Sequence, residues 1–185
     1  MLTQYYTAST LDGFIATTDH SLDWLFPLAD ISTTSYPSFY NEVGAIVMGA
    51  STYEWILQKG MMIGTPDETE WPYNMPCWVL SHQQHVIPQG ADIRITQGDV
   101  RNAYNEAFKI SGDRNLWIVG GGDIAGQFFD AGLLDELIIQ IGSVTLGNGI
   151  KVFPREILFP RLKLISCEKF SESMVELRYK VSNFE

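Results

Sequence analysis

Residues 115–124, Asn-Leu-Trp-Ile-Val-Gly-Gly-Gly-Asp-Ile, constrain this chain more than any other stretch. Residues 116–119 form an apolar run of strand length that meets Gly120, Gly121 and Gly122 with no loop between. Helical spacing starts at once. Ile124, Phe128 and Ala131 fall on one face, Ala125 and Phe129 lie beside it, and Gly132 supplies a stop. A strand that enters a helix through glycines can bring its backbone close to a phosphate. Glycine has no Cβ, and the first helical turn offers unpaired N–H groups and partial positive charge. The same glycines equally suit a tight strand-to-helix turn that binds nothing. The GxGxxG fingerprint of dinucleotide-binding sheets is absent, because the glycine after Gly122 is Gly126, one residue too far.

The rest of the chain repeats the theme. Residues 2–9 read as a first strand, Leu11-Asp12-Gly13 as a turn, and residues 14–16 as a short apolar segment. Residues 17–34 lack a period and hold Asp23, Trp24, Pro27 and Asp30; so long a loop early in a domain is either a working loop or a surface loop anchored by Trp24. A helix is expected over residues 38–43 and a buried strand over 45–48, ending at Gly49. Ser51 or Thr52 would cap the next helix, which carries Tyr53, Trp55, Ile56 and Leu57. A proline- and glycine-bearing loop covers 60–76, and a strand over 77–80 ends at Ser81-His82. Residues 91–96 alternate as a strand. Asp99 caps a helix whose stripe is Val100, Ala103, Tyr104, Ala107 and Phe108. Residues 136–146 are β-rich, and residues 162–170 and 174–181 form a terminal hairpin. Alternating strands and helices followed by consecutive strands predict one α/β domain over 1–185. Its sheet is mostly parallel, with helices on both faces and an antiparallel edge. Ligands of such sheets bind outside the carboxyl ends of strands, where Gly49 to Thr52, Ser81 and Gly120 to Gly122 would meet.

Charge narrows the partners. The formal charge is −10, and no Lys or Arg precedes Lys59. That argues against nucleic acid and anionic membranes, which need clustered cations. Lys151, Arg155, Arg161 and Lys163 come later and either serve an anion or form a solvated face. No apolar run reaches membrane-spanning length, and residues 1–10 have no signal-peptide pattern, so a cytoplasmic location is expected. Cys77 and Cys167 are expected as small core residues. His82 and His85 are spaced i, i+3 with no third ligand near, so no metal site is expected.

Four pieces in order give the chain a family resemblance. They are Ser9-Thr10-Leu11-Asp12-Gly13-Phe14-Ile15-Ala16, Met48-Gly49-Ala50-Ser51-Thr52-Tyr53, Val79-Leu80-Ser81, and residues 118–137 followed by Leu146-Gly147-Asn148-Gly149. The ordered set resembles the dihydrofolate-reductase-like superfamily. Within it the set resembles single-domain proteins similar to the reductase half of bifunctional riboflavin-biosynthesis enzymes. The resemblance implies a sheet of about eight strands and a reduced nicotinamide cofactor, usually NADPH. It implies that the pyrophosphate meets Gly120, Gly121, Gly122, Asp123, Ile124 and Ala125, and that Gly49, Ser51 and Thr52 hold the other phosphate side. Leu80, Ser81 and His82 would lie toward the adenosine 2′-phosphate, and Ile15-Ala16 would border the nicotinamide. The family often carries Arg or Lys after Met-Gly. This chain has Ala50 there and His82 after Ser81, which leaves NADH as an alternative cofactor. The arginine that folate reductases use near residues 61–63 is also missing.

Hydride transfer to a C=N or C=O group needs a proton donor nearby. Folate reductases place a carboxylate after a Trp-x-x-Pro-x-Asp-like stretch. Residues 24–30 resemble it with one extra residue, which makes Asp30 the first candidate acid. Asp12 and Asp23 are rivals, although Asp12 also suits an Asp-Gly turn and Asp23 a turn cap. Trp24, Tyr53 and Gln140 are candidate substrate contacts. Three functions follow: a nicotinamide-dependent reductase of a pterin, pyrimidine or other small heterocycle; the riboflavin-pathway reductase acting on a ribosylaminopyrimidine phosphate; or a nucleotide-binding dimer without catalysis. A homodimer built on the terminal strands is expected.

Overall fold

Both faces of the central strands are apolar, and that dictates helices on both sides. In β3 (Val43–Gly49), Ala45 and Val47 point one way and Ile46 and Met48 the other, all four fully buried. β4 (Cys77–Leu80) and β6 (Asn115–Gly120) alternate in the same manner. With β1 (Thr3–Thr10), β5 (Ile93–Thr96), β7 (Glu136–Gly142), β9 (Leu162–Lys169) and β10 (Met174–Val181) they build an eight-stranded sheet of order β5-β4-β3-β6-β1-β7-β10-β9. All neighbours from β5 to β7 are parallel, and β10 and β9 are antiparallel additions. The computed structural model describes residues 1–182 of the chain, and among them no helix is long and apolar enough to cross a membrane.

The first face is covered by α3 (Val100–Ser111) and α4 (Gly122–Asp130), through Val100, Ala103, Ala107, Ile124 and Phe128. Asp99 caps α3 by accepting from Arg101 N–H at 2.8 Å. α1 (Tyr36–Glu42) and α2 (Ala50–Trp55) cover the second face through Phe39 and Tyr53. Two local expectations are corrected. Helix α1 starts at Tyr36 because Pro37 suits a first turn, and it ends one residue before Val43, which already belongs to β3. Neither Ser51 nor Thr52 caps α2; Gly49 occupies that position with no side-chain bond.

The long β run ends at Gly142 rather than at residue 146. The next residues cross to a small second sheet, in which β2 (Phe14–Ala16) pairs with β8 (Ile150–Lys151). A Cβ on Gly149 would stand 2.3 Å from Ala16 O, so only glycine lets this crossing lie so close. Cys77 is buried as expected, but Cys167 is exposed, because β9 is the outer strand of the sheet.

Asp135 ties β7 to β1. Its Oδ2 accepts from Thr3 N–H at 2.8 Å. Burial, the larger influence, raises its carboxyl above the ordinary value, while the Thr3 N–H pulls it down. A raised folded-state pKa means stability that is full below the unfolded value and lost as pH rises through the folded one. Asp135→Asn keeps an acceptor for Thr3 and removes the charge. Its melting temperature should therefore fall less than that of the native protein between weakly acidic and neutral pH. Parallel thermal melts across that window check this; an unchanged slope contradicts it.

Candidate functional site

The carboxyl ends of β1, β3, β4 and β6 open on one cleft of about 390 Å³. Thr7 and Ala8 line it from β1, Gly49 from β3, Leu80 from β4, and Val119 and Gly120 from β6. Ala50, Ser51, Thr52 and Trp55 of α2 form one wall, and Gly121, Gly122, Asp123 and Ile124 at the start of α4 form another. Ile15, Ala16 and Ile150 of the small sheet, with His20, Leu22 and Leu25 of the loop after it, complete the rim. A parallel sheet leaves such a crevice wherever adjacent connections run to opposite faces, as they do after β3 and β6.

Each glycine here answers to a different neighbour. A Cβ on Gly49 would meet Ile124 Cγ1 at 3.1 Å, and one on Gly120 would meet Thr52 Oγ1 at 2.8 Å. One on Gly122 would lie 2.3 Å from Val152 O and 2.6 Å from Lys151 O. These three positions are small so that helices and strands can touch. Gly121 differs: its Cβ would meet nothing within 4 Å, and its φ of −84° suits any residue. Neither packing nor φ demands glycine there, and the space it leaves belongs to the cleft.

The start of α4 is the end of the cleft where backbone N–H groups could meet an anion. Ile124 and Ala125 N–H donate to Gly121 O, which leaves the N–H groups of Gly122 and Asp123 as first-turn donors. Asp123 would oppose an anion, but Arg155 Nη1 lies 3.0 Å from its Oδ1 while Arg155 Nε holds Asp130 at 2.7 Å. A hydrogen bond from Gln127 and then the Arg155 contact hold the Asp123 carboxyl below the usual range. No Lys or Arg lines the cleft among the described residues. The N–H groups at the start of α4 and the hydroxyls of Ser51 and Thr52 are donors of the kind that would hold a pyrophosphate. They offer no cation for a further phosphate.

Of the residues expected at the cofactor, the structure brings Ala16, Gly49, Ser51, Thr52, Leu80, Gly120, Gly121, Gly122, Asp123 and Ile124 to the cleft wall. Ala125 faces the core. Ser81 and His82 lie beyond the wall. Ser81 Oγ is 2.7 Å from His85 Nε2 and accepts from Gln83 N–H, and His85 Nδ1 is 3.6 Å from Glu54 Oε1.

The three candidate acids are placed elsewhere. Asp12 accepts from the N–H groups of Leu146 and Gly147 and from Thr10 Oγ1, and so ties the turn after β1 to the segment before β8. Asp30 caps a 3-10 turn, Ile31–Thr33, through Ser32 N–H. Hydrogen bonds lower both carboxyls, led by Thr10 for Asp12 and by Ser32 N–H for Asp30. A proton donor near neutral pH needs the opposite shift. Asp23 is exposed and lines nothing in the cleft. Tyr53 is a core residue, its hydroxyl donating to Val86 O at 2.6 Å and pushed up to about 12 by burial. Gln140 is buried on β7, and Trp24 packs above Gly142 with its Nε1 buried and unpartnered.

Sequence reading did not single out Thr7, Ala8, His20, Leu22, Leu25, Trp55, Val119 or Ile150 as lining residues. His20 alone carries a conformational mark, a φ of +64°, which no sequence pattern announces.

Residues 3–175 match the model of a family described as the RibD C-terminal domain. The uncharacterized protein YwjB of Bacillus subtilis (strain 168) is 29% identical over 177 residues, 96% of this chain and 96% of its own length. Among solved structures, a Shewanella sp. PV-4 protein provisionally named for riboflavin biosynthesis superposes with a TM-score of 0.80 at 25% identity. The match covers 99% of this chain and 100% of that one. Dihydrofolate reductase from Enterococcus faecalis, complexed with NADP(H) and RAB-propyl, superposes at 0.66 with 19% identity, over 98% of this chain and 97% of the reductase. That last likeness is one of fold.

Proposed function

Because this chain belongs to the RibD C-terminal domain family and has the dihydrofolate-reductase-like fold, we propose that it is a reductase that transfers hydride from NADPH or NADH to a small heterocycle. The observation that carries the reading is Gly121, whose missing side chain leaves open space at the mouth of a helix with free first-turn N–H groups. Gly122 and Asp123 N–H, with Ser51 and Thr52, hold the pyrophosphate. Ile15 and Ala16 border the nicotinamide, and Leu80 lies toward the adenosine. The cofactor, when bound, supplies the hydride. The chain positions it, and the apolar residues Leu22, Leu25 and Ile150 exclude water from the reacting end.

A second reading is the reduction of a ribosylaminopyrimidine phosphate, the 5-amino-6-(5-phosphoribosylamino)uracil reductase step. The family membership favours it. The cleft does not, since Arg155 is paired with Asp123 and Asp130, and Lys151 on β8 is the remaining cation beside a lining residue. A third is a nucleotide-binding dimer without catalysis. Loss of reduced-nicotinamide absorbance, followed with pterins, pyrimidines, the phosphorylated riboflavin intermediate and its dephosphorylated form, separates them. We expect turnover with unphosphorylated heterocycles and no advantage for the phosphate. A strong preference for the phosphorylated compound selects the second reading; cofactor binding without turnover on any compound selects the third.

The assembly we propose is a homodimer through β9, whose outer edge has no strand partner among the described residues and whose Leu164 and Ile165 are 52% and 50% exposed. Light scattering should return twice the 20.8 kDa of one chain, and a single-chain mass contradicts the dimer.

A further inference from the structure

Reduction of a C=N or C=O group consumes a proton as well as a hydride, and none of Asp12, Asp23 and Asp30 lines the cleft. The residues that do line it narrow the choice of donor. Thr7, Ser51 and Thr52 carry hydroxyls, and Trp55 an indole, none of which releases its proton near neutral pH. Asp123 stands at the start of α4, where Gln127 and then Arg155 favour its ionised form. His20 remains. Imidazole is the side chain that ordinarily gains and loses its proton between roughly pH 5 and pH 8.

The loop after β2 delivers this ring to the rim from a tied turn. Thr17 N–H donates to Ser21 O at 3.2 Å, Ser21 N–H to Thr17 Oγ1 at 2.9 Å, and His20 N–H to Thr17 O at 3.0 Å. Residues 17–21 are thereby closed into one turn directly after Ala16, which lines the same cleft, and Leu22 and Leu25 line it just beyond. Within the turn His20 has a φ of +64°. Among the described residues Met62 is the other non-glycine residue with positive φ, and it lies outside the cleft. Such backbone is uncommon away from glycine and gathers at functional sites. Among the described residues none hydrogen-bonds the His20 ring, whereas the His85 nitrogens face Ser81 and Glu54. The charged groups on the elements of this rim are Asp19 and Asp23 in the loop, Lys151 on β8 and Asp123 on α4. Thr17 Oγ1 already donates to Asp19 at 2.6 Å.

We propose that His20 is the catalytic proton donor of this cleft. The proposal deepens the reductase reading and rests on it for the hydride. As the carbon of a C=N bond accepts hydride from the reduced nicotinamide, its nitrogen takes the proton of the His20 imidazolium. One C–H and one N–H bond form, the C=N double bond becomes single, and the nicotinamide is oxidised. The neutral ring regains a proton from water, because the side chain is solvent-exposed. Leu22 and Leu25 shield the reacting atoms on the cleft side of the same loop.

The test joins a binding readout to a kinetic one. Proton NMR follows the ring C–H signals of the three histidines, and His20→Asn assigns those of His20. Asparagine tolerates positive φ, so the variant should melt with the native chain. NAD⁺ or NADP⁺ should shift the His20 signals. ADP-ribose, which keeps the pyrophosphate and lacks the nicotinamide, should not. With the heterocycle that the absorbance screen selects, His20→Asn should lower kcat by about 100-fold and leave KM and cofactor affinity unchanged. Native kcat should fall as pH rises through the imidazole range, and the variant should lose that fall. A merely structural role would move KM or the melting temperature and keep the pH profile. Native kcat in the variant overturns the proposal. So does an equal shift with ADP-ribose, or no shift at a cofactor concentration that quenches tryptophan emission; these outcomes leave the reductase reading standing. Cofactor binding without turnover on any compound removes the donor role. Emission unchanged by any cofactor removes the reductase reading, and the donor role with it.

Discussion

Gly121→Val is expected to lower affinity for NADPH and NADH by at least about 100-fold, or roughly 2.8 kcal/mol, with the fold retained. A branched side chain at this position projects into the cleft, where no protein atom lies within 4 Å of its Cβ. It covers the N–H groups of Gly122 and Asp123 and fills the space of a phosphate at the start of α4. Its φ of −84° and ψ of −179° are extended values open to any residue. The cost to stability is the loss of a favourable N-cap residue, about 1 kcal/mol, which in a chain of this length is roughly 2–4 °C in melting temperature. Cofactor titration and a thermal melt of the same sample read both effects. Native affinity in the variant would mean that the phosphates bind elsewhere.

The adjacent residue should behave in the opposite way. In Gly122→Ala a single methyl group would stand 2.3 Å from Val152 O and 2.6 Å from Lys151 O. The obstacle is backbone and cannot swing aside. Val152 is held on both sides, its N–H donating to Gly13 O at 2.9 Å and its carbonyl accepting from Tyr5 Oη at 3.0 Å. Overpacking of this kind costs about 2–3 kcal/mol, roughly 5–10 °C of melting temperature. Because β8 carries Ile150 into the cleft wall, cofactor affinity should fall as a consequence of the displaced strand. Neighbouring glycines with one steric signature and one binding signature would separate the part of the motif that builds the fold from the part that faces the ligand. Equal melting temperatures for Gly122→Ala and the native chain would show that β8 is not seated as described.

The elements that announced themselves in the sequence are those whose signals are local. The apolar run ending in Gly120, the stripe of α3 behind Asp99 and the terminal hairpin each follow from spacing within a dozen residues, and each stands where expected except at Phe108, which falls on the expected stripe but is 55% exposed. The glycine-bearing strand ends converge on one cleft because parallel strands share a carboxyl end. The rest of the cleft wall was not legible for a matching reason. Ala8 reaches it only through the pairing of β1 with strands far apart in sequence, and Ile150 only because β8 folds back on β2. Asp12, Asp23 and Asp30 drew notice as carboxylates on an irregular segment. Hydrogen bonds to Leu146, Gly147 and Ser32 give Asp12 and Asp30 loop-closing and capping work.

The central claim is that the cleft between α2 and α4 holds a nicotinamide dinucleotide, and a fluorescence titration of the native protein with NADPH and NADH tests it most directly. Trp55 lines the cleft and is one of five tryptophans, so occupancy should quench part of the emission. The account predicts saturable quenching by at least one of the two cofactors at micromolar concentration, lost in Gly121→Val. Unchanged emission from the folded native protein at millimolar NADPH and millimolar NADH would contradict it.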